Sequence, residues 1–191
     1  MSGIAWDRRM GWVRSIVRGV AGLHEEGVTH RNLKSGNIII MNMRSESGAS
    51  HGVASKGKDG PAAAEAETAQ ITDFGSAKVM ESLSAGGGYQ SRVGVVQYSA
   101  PEVLLDEPRD YVRVDVYALS VLVWEILSGQ SAYGGQSERK VQEAVCLRKA
   151  RTTISSELPH GMCEALARGW DGKAGKRGTA KEFYETMFGE K

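Results

Sequence analysis

A mainly α-helical domain carrying one small β-hairpin is what three features of this 191-residue sequence predict. Residues 5–26 repeat apolar side chains at spacings of three and four, the signature of a helix with one buried face. Residues 115–128 are apolar on nearly every side, as in a helix at the centre of a domain. Only two short runs, Ile38-Ile39-Ile40 and Gln70-Ile71-Thr72, read as strands.

In the first helix Trp6, Met10, Val13, Ile16, Val17, Val20 and Leu23 form the apolar stripe, and Arg8, Arg9, Arg14 and Arg18 take other faces. Asp7 lies in the first turn, where the helix dipole favours an anion, and Gly27 is placed to end the helix. The β-branched run from Ile38 to Ile40 reads as a buried strand. Residues 44–70 carry almost no large apolar side chain and cannot bury enough surface to offset their ordering entropy, which predicts a disordered insertion. A Gly/Ser-rich loop follows the second strand up to about residue 98. Asp115 is suited to cap the central helix and Gly129 to stop it. Three shorter helices complete the pattern. Residues 138–149 offer Val141, Val145 and Leu147 to the core, and residues 159–170 offer Met162, Leu166 and Trp170. The last begins with the capping box Thr179-Ala180-Lys181-Glu182 and buries Phe183 and Met187.

The bulk properties exclude more than they assign. Lys plus Arg number 24 against 23 Asp plus Glu, a net charge of +1, so no nucleic-acid or membrane partner is selected by overall charge. The longest apolar run, 116–127, is too short to cross a bilayer, and no charged-then-apolar leader opens the chain. Cys146 and Cys163 have no metal or disulfide spacing and read as reduced, buried side chains of a cytoplasmic protein.

Three motifs then fall in one order. His30-Arg31-Asn32-Leu33-Lys34-Ser35-Gly36-Asn37 matches the pattern H-R-D-L-x-x-x-N at every fixed position but one, and Asp73-Phe74-Gly75 and Ala100-Pro101-Glu102 follow. Trp170-Asp171 and Arg177 continue the series, although Arg168, Gly172 and Gly178 stand where a Cys and two prolines are usual. On these motifs the chain resembles the C-terminal lobe of a protein kinase. Lys34, the opening Trp6-x-x-Arg9 and the run AGLHEEGVTHRNLKSGNIII make it similar to tyrosine-kinase-like serine/threonine kinases. The resemblance implies one kinase-like C-lobe over residues 1–191, with an activation segment at 73–102.

By resemblance, Asp73 and Asn37 hold Mg²⁺, Lys34 meets the γ-phosphate of ATP, and Ile39 lies under the adenine ring. Asp115 ties down the catalytic loop, His30 and Phe74 stack in a hydrophobic spine, and Gly75 completes its motif. Arg31 is expected to pair with a phosphorylated activation loop, for which Ser82, Ser84, Tyr89 and Ser91 are available. Glu102 and Arg177 are expected to form a buried ion pair.

Three departures bear on activity. Asn32 stands in place of the aspartate that accepts the substrate hydroxyl's proton, and a carboxamide has no useful proton affinity near neutral pH. Val95 stands in place of a threonine that bonds to that aspartate and to the lysine. Neither a Gly-rich phosphate loop nor a V-A-I-K lysine precedes the first helix, which leads to the expectation that the N-lobe is absent, that ATP binds weakly, and that Phe74 and its neighbours are left bare. The resulting reading is a pseudokinase that scaffolds or regulates a protein partner, either an active kinase or a substrate protein. The alternatives are a serine/threonine kinase whose N-lobe is missing from the chain, and a poorly folding fragment.

Overall fold

The computed structural model describes residues 3–43, 66–79, 95–107 and 109–190. Its elements in chain order are α1 (Trp6–Glu25), β1 (Val28–Thr29), β2 (Ile38–Met43), β3 (Ala66–Ile71), β4 (Lys78–Val79), α2 (Pro101–Leu104), α3 (Tyr111–Ser128), α4 (Glu138–Gln142), α5 (His160–Gly169) and α6 (Ala180–Phe188). Strands β2 and β3 pair antiparallel with Ile38 opposite Ile71 and Met43 opposite Ala66. Strands β1 and β4 form a second, two-residue pair.

Helix α3 is the axis of the core. Val116, Tyr117, Leu119, Leu122 and Val123 have no accessible surface, as its apolar circumference requires. Helix α1 lays Val13, Ile16, Val17 and Val20 against it, all fully buried and spaced as the sequence pattern requires. Gly27, at φ 71°, takes the left-handed conformation that turns the chain out of α1. Helix α5 packs on α3 and α6 packs on α5 and α1, and α6 opens with the capping box: Thr179 Oγ1 accepts from Glu182 N, and Glu182 Oε2 accepts from Thr179 N at 2.7 Å.

Several expectations need correction. Helix α3 starts at Tyr111 with Asp110 as its cap, which accepts a hydrogen bond from Arg113 N. Asp115 lies inside the helix, its carboxylate engaged elsewhere, so an aspartate that could cap a helix was not the one that does. The strand Ile38–Met43 is not buried: Ile39 and Ile40 are exposed, because the hairpin lies on the outside of the helical body. Residues 66–70, expected to belong to the disordered insertion, form β3. Their side chains supply little apolar area, and the strand is held by its ladder to β2 and by Glu67, which accepts from Arg8 Nε at 2.9 Å and Trp12 Nε1 at 3.2 Å on α1. The rest of that segment, 44–65, lies outside the described residues. Leu147 is 74% exposed, since the helix after Gln142 widens into a π turn over Glu143–Leu147 and rotates that side chain outward. Trp6 is likewise exposed at the first turn of α1, and Cys146 and Cys163 are half-buried cysteines. No helix among the described residues is long and apolar enough to cross a membrane.

The closest packing in the body is where α5 ends on α3 and α6. A Cβ at Gly169 would come within 2.0 Å of Ser120 Oγ and 2.8 Å of the Phe183 ring. We expect Gly169→Ala to destabilise the fold by about 1–3 kcal/mol, the usual cost of overpacking, measured as a lower midpoint in urea with an unchanged slope.

Candidate functional site

The loop between β1 and β2 hangs from one carboxylate. Asp115, 1% exposed, accepts His30 N at 2.7 Å through Oδ2 and Arg31 N at 2.7 Å through Oδ1. His24, at the last turn of α1, places Nε2 3.1 Å from the same Oδ2. Burying a carboxylate is costly, and three donors around its two oxygens offset that cost. Arg31 is held with φ at 65°, a left-handed backbone that costs a non-glycine residue about 1–2 kcal/mol. Its Nε donates to Ser76 O at 2.6 Å, and its guanidinium lies 5.4 Å from the centre of the Tyr111 ring. Of its expected phosphate-bearing partners, Ser82, Ser84, Tyr89 and Ser91 lie outside the described residues.

The loop thereby delivers Asn32 to Asp73. Asn32 Nδ2 donates to Asp73 Oδ2 at 3.0 Å. Asn37 Nδ2 donates to the same oxygen at 3.2 Å and to Asn32 O at 2.8 Å. Asp73 too is left-handed, with φ at 63°. His30 Nε2 is 3.0 Å from Thr72 O, and the His30 and Phe74 rings meet edge to face at 5.1 Å. Phe74 is nevertheless 48% exposed. Lys34 sits in extended backbone two residues after Asn32, and its ammonium forms no ion pair among the described residues. Ile39 is on β2 opposite Gln70, exposed and outside the polar cluster.

The donor chemistry fits Mg²⁺. Asp73 offers a carboxylate, and Asn37, with its amide nitrogen committed to two acceptors, has its carboxamide oxygen turned away from both; hard oxygen ligands of this kind suit a hard cation. When bound, such a cation neutralises phosphate charge. No group of three or more acidic, His or Cys side chains among the described residues makes a denser metal site. Position 32, facing Asp73, carries no carboxylate: Asn32 is a carboxamide acting there as a donor.

A second network reaches the loop from the core. Tyr98, from the segment before α2, donates to Glu125 Oε2 on α3, while its oxygen lies 2.9 Å from Ser35 Oγ and 3.4 Å from Ser35 N. Glu125 Oε1 in turn accepts Ala132 N at 2.7 Å. Sequence reasoning overlooked this network and His24. The available signal was Glu125 itself, the one acidic residue in the apolar run 116–127, which has to find donors. Val95 begins the turn before Tyr98 and, with Asn32, lines a small cleft under the loop. Glu102 and Arg177 form a bidentate pair at 2.6 and 2.8 Å, both buried, and Arg177 also donates to Asp171 O and Arg113 O. That pair joins α2 to the segment before α6.

With this geometry in view, the comparisons decide the family. The Protein kinase domain family matches residues 4–188. The chain belongs to it. Among curated relatives, a mitogen-activated protein kinase kinase kinase 13-B from Xenopus laevis is 26% identical over 87% of this chain and 14% of its own length. An activin receptor type-2A from Rattus norvegicus is 27% identical over 91% and 36%, and the serine/threonine-protein kinase STY46 of Arabidopsis thaliana is 24% identical over 90% and 25%. The resemblance to tyrosine-kinase-like serine/threonine kinases therefore holds, and the chain spans only a seventh to about a third of these relatives.

The expected absence of an N-lobe is corrected by the same match. A protein kinase domain is recognised from residue 4 to residue 188, so no lobe of it is shown to be missing. That expectation rested on where the chain begins and on motifs not found ahead of α1, neither of which bears on what the whole domain contains. The family implies the use of ATP and Mg²⁺.

Two measurements test the scaffold. Arg177→Met leaves Glu102 as a buried unpaired charge and is expected to cost about 3–5 kcal/mol in a denaturant melt. Burial, and then the bond to Glu125, push the Tyr98 hydroxyl up to about 12. Its folded value lies above the unfolded one near 10, so its stabilising contribution is intact below pH 10 and is lost as pH rises towards 12. Melting temperature should fall more steeply over that interval in the natural protein than in Tyr98→Phe.

Proposed function

We propose that this protein kinase domain is catalytically impaired and works as a pseudokinase of the serine/threonine type, binding a protein partner, either an active kinase or a substrate protein, in the cytoplasm. The observation that carries the reading is the bond from Asn32 Nδ2 to Asp73 Oδ2 at 3.0 Å. The group at the general-base position is a hydrogen-bond donor, and losing a general base costs ~10²–10⁴ in rate. Val95, a methyl-bearing side chain in place of a hydroxyl, supports the same reading, since nothing at that position can bond to the catalytic loop's polar groups. The loop anchored on Asp115, the Glu102–Arg177 pair and the capped last helix hold the fold without any catalytic step, which supports a binding role.

A slow serine/threonine kinase is the second reading, favoured by Asp73, by the orientation of Asn37 and by Lys34, whose ammonium forms no ion pair among the described residues. Phosphate transfer from radiolabelled ATP to a generic serine/threonine substrate, with Mg²⁺ present, separates the two. We expect no incorporation above background. Robust Mg²⁺-dependent incorporation that disappears in Asp73→Ala establishes the kinase and removes the pseudokinase.

A further inference from the structure

Asp73 Oδ2 accepts from Asn32 and from Asn37, so two carboxamide N–H groups surround the oxygen of the one carboxylate in the cluster. Asp73 is also held at φ 63°, a conformation that needs support from its surroundings when the residue is not glycine. Were position 32 a carboxylate in this geometry, two anions would meet at the 3.0 Å that now separates donor from acceptor, and like charges that close cannot both ionise without a compensating cation. Here the carboxamide of Asn32 supplies the partial positive charge from within the chain. We propose that Asn32 is a positioning residue that replaces the divalent cation as the partner of Asp73, uncoupling the folding of this site from Mg²⁺. The inference rests on Asn32 occupying the general-base position, and it assigns to the substitution a structural gain in addition to the loss of a base.

Further geometry supports the assignment. Asn32 is fixed on both sides of its side chain, its N donating to His30 Nδ1 at 3.3 Å and its O accepting from Asn37 Nδ2 at 2.8 Å. His30 is in turn fixed by Asp115 through its N and stacked against Phe74, the residue after Asp73. The donor is therefore presented to Asp73 by the buried framework, as a ligand cage presents a cation, and needs no rearrangement to act.

Thermal melts of the full chain in EDTA and in millimolar MgCl₂, without nucleotide, test this. The natural protein should melt at the same temperature in both. Asn32→Asp should melt lower in EDTA by about 3 °C or more, and Mg²⁺ should restore most of the loss. The exchanged pair Asn32→Asp with Asp73→Asn restores one donor facing one carboxylate, and asparagine tolerates the left-handed backbone at position 73. That double variant should melt near the natural protein in EDTA and ignore Mg²⁺. If Asn32→Asp does not fold in EDTA, the exchanged pair should still fold, and its failure to do so overturns the proposal. An Asn32→Asp melt equal to the natural one in EDTA overturns it too, as does a natural protein that gains as much from Mg²⁺ as Asn32→Asp does. None of these outcomes depends on phosphate transfer: a natural protein found to transfer phosphate refutes the pseudokinase reading and leaves the melts to stand or fall separately.

Discussion

The carboxylate of Asp115 is the constraint on which the site depends. It sits in a helix whose other buried side chains are nearly all apolar, so its charge has no solvent to turn to and is satisfied by the backbone N–H groups of His30 and Arg31 and by His24. Because α3 is locked by the core on every side, those two N–H groups are fixed in space, and with them the direction in which the chain leaves Arg31. The left-handed backbone of Arg31 is a conformation the loop would relinquish if the anchor were lost, and it is this turn that presents Asn32 to Asp73. Core packing, loop conformation and site geometry are thus one chain of causes.

What the sequence made legible follows from this hierarchy. Elements defined by apolar periodicity, α1 and α3 above all, are found where the pattern puts them, because a stripe or sleeve of apolar side chains has one way to leave water. The motif residues from His30 to Arg177 could be named because their spacing is characteristic, but spacing did not reveal what each one touches. Asp115 and Asp110 are both aspartates near the start of the same helix, and only burial distinguishes the anchor from the cap. Only the end of strand β3, at Gln70 and Ile71, was legible, because Ala66-Glu67-Thr68-Ala69 has no apolar alternation to read. It is a strand because β2 and α1 hold it, a tertiary cause that local sequence does not carry. The network from Tyr98 through Glu125 is hidden for the same reason: its members lie 27 residues apart and meet only in the folded chain.

Scaffold and chemistry are separately encoded in this domain. The Glu102–Arg177 pair, the capping box and the Asp115 anchor involve buried or backbone partners, so each would be costly to lose whether or not any phosphate moves. Asn32, Lys34 and Val95 are different. None is buried, and replacing Lys34 or Val95 changes what the surface can do far more than whether it folds. Retained oxygen ligands in Asp73 and Asn37 are therefore weak evidence for catalysis, since both also serve as partners in the loop's own hydrogen bonds.

That double duty bears on why a carboxamide is stable at position 32. A catalytic site is electrostatically expensive when empty: it gathers like charges whose repulsion is relieved only by the metal and substrate it awaits. Replacing one carboxylate by its amide keeps nearly the same shape, turns a repulsive neighbour into a donor, and removes the proton affinity on which general-base catalysis depends. The change is conservative for the fold and decisive for the chemistry. A domain that works by binding, as proposed, would gain from it in the apo state and forfeit only turnover, so the bond between Asn32 and Asp73 carries the proposed reading against the oxygen-ligand chemistry beside it.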